Sequence, residues 1–179
     1  MKLVSIVGDS PTGPLEVLEY LYRKGEEPTR LVIVFPKDKA KIAEIVELAI
    51  LVGIKDVIPT TLLIDRVILE KSDADNKVEL QDMKDTIDAN VDPGDFVDIS
   101  GAPKLPAALG AVVARDKEAH LVYVPQAEEK EEVMKAYEEL GKMDLKKAIA
   151  EFRASGKIDE ELRKLLEKVV LKKPKVIIL

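Results

Sequence analysis

Unbroken apolar, β-branched runs alternate in this chain with segments whose apolar residues recur every three or four positions, and this order leaves few folds open. Leu31-Val32-Ile33-Val34-Phe35 shows no polar alternation, as a strand covered on both faces requires. Strands of that kind separated by helical segments give β-α-β units around a parallel sheet. The first strand is Leu3 to Val7. After the turn Gly8 to Gly13, the spacing of Leu15, Leu18, Leu21 and Tyr22 predicts a helix stopped at Lys24-Gly25.

A second helix, about 39–52, is apolar on nearly every side toward its end, so it must be buried on two sides. It is either wedged within its own domain or a homodimer seam. In the stretch 56–71, Asp56-Val57-Ile58 and Val67-Ile68-Leu69 each read as candidate short strands. Leu80, Met83, Ile87 and Val91 predict a helix, Asp92 to Asp95 a turn, and Phe96 to Ile99 a strand. A helix carrying Leu105, Leu109, Val112 and Val113 and a strand from His120 to Val124 follow.

From Ala127 onward the segments are highly charged and helical, at about 127–140, 144–153 and 158–169, before a final strand Val176 to Leu179. No repeat or low-complexity linker sets this tail apart. We therefore expect one α/β unit over 1–126 and a helical extension over 127–179 packed on the same domain. The expected fold is an open, mostly parallel sheet with helices on both faces, and a helical C-terminal extension ending in a short strand.

Composition narrows the chemistry. The 179 residues suffice for a self-supporting core. There is no cysteine and His120 is the only histidine, which removes thiolate and histidine-rich metal sites and thiol nucleophiles. No metal or cofactor is expected. The apolar stretch before Gly8 is too short for a signal peptide or a membrane span, so a cytoplasmic protein with no membrane partner is expected. A net charge of -6 and 4% aromatics with no tryptophan argue against a broad nucleic-acid surface. They leave room for a small anion site, which local backbone amides can build.

In an open parallel sheet, ligands bind beyond the carboxyl ends of the strands, where helix N-termini present free N–H groups. Two turns are expected there. The first, Gly8-Asp9-Ser10-Pro11-Thr12-Gly13-Pro14, combines small residues with hydroxyls, and either proline suits the first helical position. Gly8 and Gly13 have Walker spacing, but Pro14-Leu15 replaces the Lys and Ser/Thr that a P-loop needs. Ser10 reads equally as an ordinary helix N-cap. The second turn, Asp98-Ile99-Ser100-Gly101-Ala102-Pro103-Lys104, offers a hydroxyl, a glycine and a cation, although Lys104 alone also reads as a solvated helix-start residue. Together they point to a phosphate-bearing ligand.

These turns, with Glu19-Tyr20-Leu21, Arg23-Lys24-Gly25-Glu26, Val124-Pro125-Gln126 and the charged tail, resemble the CRISPR-associated Rossmann-fold (CARF) proteins. Within them the chain is most similar to the small stand-alone ring nucleases of type III CRISPR systems. The resemblance implies a Rossmann-like homodimer that binds cyclic tetra-adenylate across its two-fold axis and cuts it without metal, switching off type III signalling. In that chemistry each ribose 2'-hydroxyl attacks the neighbouring phosphorus, and the protein positions the ring and stabilises charge. The resemblance implies that Ser10 orients the scissile phosphate or ribose and that Lys104 offsets charge on the phosphorane. It implies ligand contacts from Gly8, Asp9, Ser10, Pro11, Thr12, Gly13, Ser100, Gly101, Ala102 and Lys104. A lysine from the C-terminal region would join them, with Lys168, Lys172 and Lys173 as candidates.

Two positions depart from the family pattern. Asp9 stands where the family has an uncharged residue, and a carboxylate turned toward phosphates weakens binding. Pro103 lacks the N–H that a glycine-rich turn would offer. The alternatives are a CARF sensor that binds the ring without cutting it and a DNA-binding regulator using the tail. The would-be recognition helix of that regulator begins Asp159-Glu160-Glu161, which would repel DNA. Arg115 and His120 have the spacing of HEPN ribonucleases but span a helix-to-strand turn. Asp73, Asp75 and Asn76 resemble part of a calcium loop without its glycine and bidentate glutamate, and read as a solvated turn.

Overall fold

The computed structural model describes residues 1–125, 131–170 and 175–179. Its elements in chain order are β1 (Lys2–Ile6), α1 (Thr12–Arg23), β2 (Arg30–Pro36), a 3-10 turn (Lys37–Lys39), α2 (Ala40–Val52), β3 (Leu63–Leu69), α3 (Lys77–Asp88), β4 (Phe96–Asp98), α4 (Lys104–Asp116), β5 (His120–Tyr123), α5 (Glu131–Gly141), α6 (Leu145–Ser155), α7 (Glu160–Lys168) and β6 (Ile177–Ile178). The sheet order is β3-β2-β1-β4-β5-β6, parallel throughout except for β6, which runs antiparallel to β5. The expected α/β architecture is therefore present, with the short terminal strand on one edge.

Alternation along the central strands feeds two apolar layers. Leu3, Leu31, Ile33 and Phe35 face α1 and α2, and the buried faces of α5, α6 and α7 join the same cluster. Val4, Ile6, Val32 and Val34 face α3 and α4 on the other side. Helix α2 has α6 against its outer surface, so its all-round apolarity is satisfied within the chain.

The stretch 56–71 differs from expectation. Asp56-Val57-Ile58 is a turn, while the candidate strand Val67-Ile68-Leu69 is the second half of a seven-residue strand, β3, at Leu63–Leu69. As an edge strand it is half-covered on both faces, so Asp65 and Arg66 sit in its middle without cost. Among the described residues no helix is long and apolar enough to cross a membrane.

Candidate nucleotide-binding rim

The strand order places the two predicted turns. From β1 the chain winds outward through β2 and β3, then returns to lay β4 on the other side of β1, so the order reverses between β1 and β4. The crevice at such a reversal is where open α/β sheets take ligands. The turns after β1 and β4 lie at this point and touch. A Cβ on Gly8 would stand 2.6 Å from the Gly101 carbonyl oxygen, and one on Gly101 would stand 3.2 Å from that of Ser10. At Gly8 only glycine permits this approach, and backbone meets backbone across it.

Asp98 anchors the rim from beneath. Its carboxylate is fully buried and accepts from Ser5 Oγ at 2.6 Å, from the Ser100 amide at 2.9 Å and from Ser100 Oγ. Ser100 Oγ in turn accepts from the Val124 amide at 2.8 Å. The ends of β1, β4 and β5 are thus tied together. Burial pushes the Asp98 carboxyl up from its ordinary value, against the donors from Ser100 and Ser5 that pull it down.

In the second turn the N–H groups of Ser100 and Ala102 are used internally, the latter on Ile99 O at 3.2 Å, and Pro103 has none. Those of Gly101, Lys104 and Leu105 make no hydrogen bond to another described residue. Lys104 is the first residue of α4, exposed, and has no ion pair among the described residues. A cation and a helix N-terminus therefore coincide.

Ser10 is placed differently from either reading. Helix α1 begins at Thr12 with Pro11 as its N-cap and no side-chain cap, so Ser10 is not the N-cap and neither proline is the first helical residue. Ser10 is 4% exposed, and its Oγ lies 2.8 Å from Thr12 Oγ1 and 3.2 Å from the Tyr137 hydroxyl of α5. It also accepts from the Thr12 amide at 3.3 Å. Asp9 points outward, with its side chain 90% exposed and Oδ1 2.6 Å from Lys39 Nζ. Gly13 packs against Asp98 and Ser100.

The rim thus gathers Gly8, Asp9, Ser10, Gly13, Ser100, Gly101 and the start of α4. Lys168 is exposed at the end of α7, while Lys172, Lys173 and Gln126 lie outside the described residues. Sequence reasoning missed Tyr137 and Lys39. Nothing local marks Tyr137, which lies 127 residues from its serine. Lys39 could have been found, because a lysine ending the turn after β2 must stand beside the turn after β1.

The signals set aside stay aside. His120 opens β5 at the opposite end of the strands and stacks on Phe96 at 5.0 Å, and Arg115 pairs with Asp116. Asn76 caps α3 by accepting from the Glu79 amide at 2.9 Å.

No protein-family profile matches the chain. The CRISPR system ring nuclease SSO2081 of Saccharolobus solfataricus is 26% identical over 167 residues, covering 91% of this chain and 89% of that protein. Among solved structures, Enterococcus italicus Csm6 bound to cyclic hexa-2'-fluoro-hexa-dAMP superposes with a TM-score of 0.51 at 11% identity, over 86% of this chain and 40% of that one, which bears on the fold alone. Can2 from Sulfobacillus thermosulfidooxidans, in complex with cyclic tetra-adenylate, gives 0.45 at 14% identity over 69% of this chain and 32% of that one, too loose to carry an argument. The chain spans about a third to two-fifths of the length of these two structures. Along nine-tenths of its length it is similar to a CRISPR system ring nuclease, and the resemblance to CARF ring nucleases that its two turns first carried is borne out.

Proposed function

We propose that this protein binds a cyclic oligoadenylate, specifically cyclic tetra-adenylate, on the rim between β1 and β4 and cleaves it without metal. The observation that carries the reading is the contact of Gly8 with Gly101, which joins two phosphate-type turns at the sheet's reversal point. Similarity to the ring nuclease of S. solfataricus over nearly the whole chain supports it. A ring of four identical nucleotides is itself two-fold symmetric, so a homodimer presenting this rim twice would match it.

In the cleavage step a ribose O2' attacks the adjacent phosphorus in line. The P–O5' bond breaks and the proton lost by the 2'-hydroxyl is balanced by one taken up at O5', leaving a 2',3'-cyclic phosphate and a 5'-hydroxyl. Lys104 and the N–H groups at the start of α4 that bond no other described residue would receive the negative phosphorane oxygens, and the Ser10 segment would hold the phosphate in line.

Incubating the protein with labelled cyclic tetra-adenylate in excess chelator tests the reading. Linear adenylates accumulate, Lys104→Ala slows them roughly 100- to 1,000-fold, the range for loss of one charge-stabilising donor, and Ser10→Ala slows them as well. A second reading is a sensor that holds the ring uncut. The engagement of Ser10 Oγ by Thr12 and Tyr137 favours it. Tight binding with no linear product would select the sensor, and absence of binding would remove both.

A further inference from the structure

Asp9 is the one carboxylate of the turn that meets Gly101, and it faces solvent. An unshielded negative charge there would repel any phosphate approaching the rim. It is not unshielded. β2 pairs with β1 in parallel and the ladder continues past β1 through the Val7 amide to Val34 O, so the turn after β2 stands beside the turn after β1. From that turn Lys39 reaches Asp9 Oδ1 at 2.6 Å. The Lys39 side chain is 33% exposed, against 72% for Lys37 in the same turn, so it is laid down on the protein surface while its neighbour is extended into water. The first turn is therefore flanked on the β2 side by a lysine committed to Asp9 and on the β4 side by Lys104, which has no ion pair among the described residues.

Resting on the ring-binding reading above, we propose that Lys39 is a positioning residue for that site: by holding and neutralising Asp9 on the β2 flank, it lets the first turn accept a phosphate that the carboxylate would otherwise repel. Lys39 acts through Asp9 and does not itself touch the ligand. The departure of Asp9 from an uncharged residue is thereby compensated within the chain. Consistent with this geometry, the Lys39 amine is held above the ordinary lysine value, chiefly by its hydrogen bond to Asp9.

The test is equilibrium binding of labelled cyclic tetra-adenylate to the full-length wild type, Lys39→Met, Asp9→Asn and the double variant, at low and moderate salt. Lys39→Met weakens binding roughly 3- to 10-fold at low salt, with a smaller penalty at higher salt, because one uncompensated charge a few ångströms from a phosphate is worth that much in water. The double variant returns to within about twofold of Asp9→Asn, as a coupled pair requires. In NMR titration without ligand, the Lys39 side chain of Asp9→Asn returns toward the ordinary lysine value. Full affinity in Lys39→Met, a penalty that persists in the Asp9→Asn background, or an unmoved Lys39 titration overturns the role of Lys39 alone. Failure of the wild type to bind the ring overturns the ring reading and this role with it.

Discussion

Asp98 is the residue on which the rim depends most, because one buried carboxylate collects donors from two serines and connects three strand ends. Its ordinary value is near 3.8, and burial raises it in the native state. Over the window above 3.8 the folded protein therefore holds more of this proton than the unfolded chain does, so the Asp98 contribution to stability is greatest below that value and falls as pH rises through the raised one. Asp98→Asn keeps the shape and removes the titration. Urea denaturation of the two proteins from pH 4 to 8 should give a wild-type profile that declines relative to the variant by at most about 1.4 kcal/mol per pH unit. Parallel profiles would mean that Asp98 ionises as freely in the fold as outside it.

Among the elements, α2 is held at both flanks through Glu47. Its Oε2 accepts from Arg66 Nε of β3 at 2.9 Å, and its Oε1 pairs with an Arg153 guanidinium nitrogen of α6 at 2.7 Å. Removing the shared acceptor leaves Arg66 and Arg153 both without this partner, whereas removing the more exposed Arg153 leaves Glu47 still paired with Arg66. Glu47→Ala should cost about 1–3 kcal/mol of stability and Arg153→Ala under about 1 kcal/mol, read from urea midpoints. Equal losses would mean that Glu47 is no hub. The same elements mark where sequence is and is not readable. The run Leu31 to Phe35 has only one solution, and the apolar excess of α2 correctly demanded two neighbours. That α6 is the outer neighbour was invisible, since a charged amphipathic helix fits many surfaces. Of β3 only the Val67 to Leu69 half was read, because Asp65 and Arg66 break the apolar run of an edge strand that is half-wet on both faces. The meeting of the two turns was legible because strand-end geometry brings them together. The cover over Ser10 and the partner of Asp9 come from elements that only the folded chain brings near.

Across the whole molecule, Ala136, Leu140, Leu145, Ile149 and Leu166 of the tail share one apolar cluster with Leu18, Leu31 and Ile45 of the sheet layer. A substitution in the tail should therefore loosen the sheet. Leu140 is fully buried, and Leu140→Ala should cost about 2–5 kcal/mol. Hydrogen exchange should report the loss in the amides of β1 and β2 as well as in α5, whereas protection lost from α5 to α7 alone would make the tail an independent unit. Tyr137 rides on the same helix as Leu140, so the stability of that layer also governs how firmly the Ser10 hydroxyl is covered. At the centre of the rim, where Gly8 abuts Gly101, no side chain fits. There the two turns close on each other backbone to backbone, a seam that a side chain at Gly8 could enter only by prising the turns apart. On the proposed reading, what the rim accepts is therefore tuned at the margins of that seam, in the charges that Asp9, Lys39 and Lys104 bring to it.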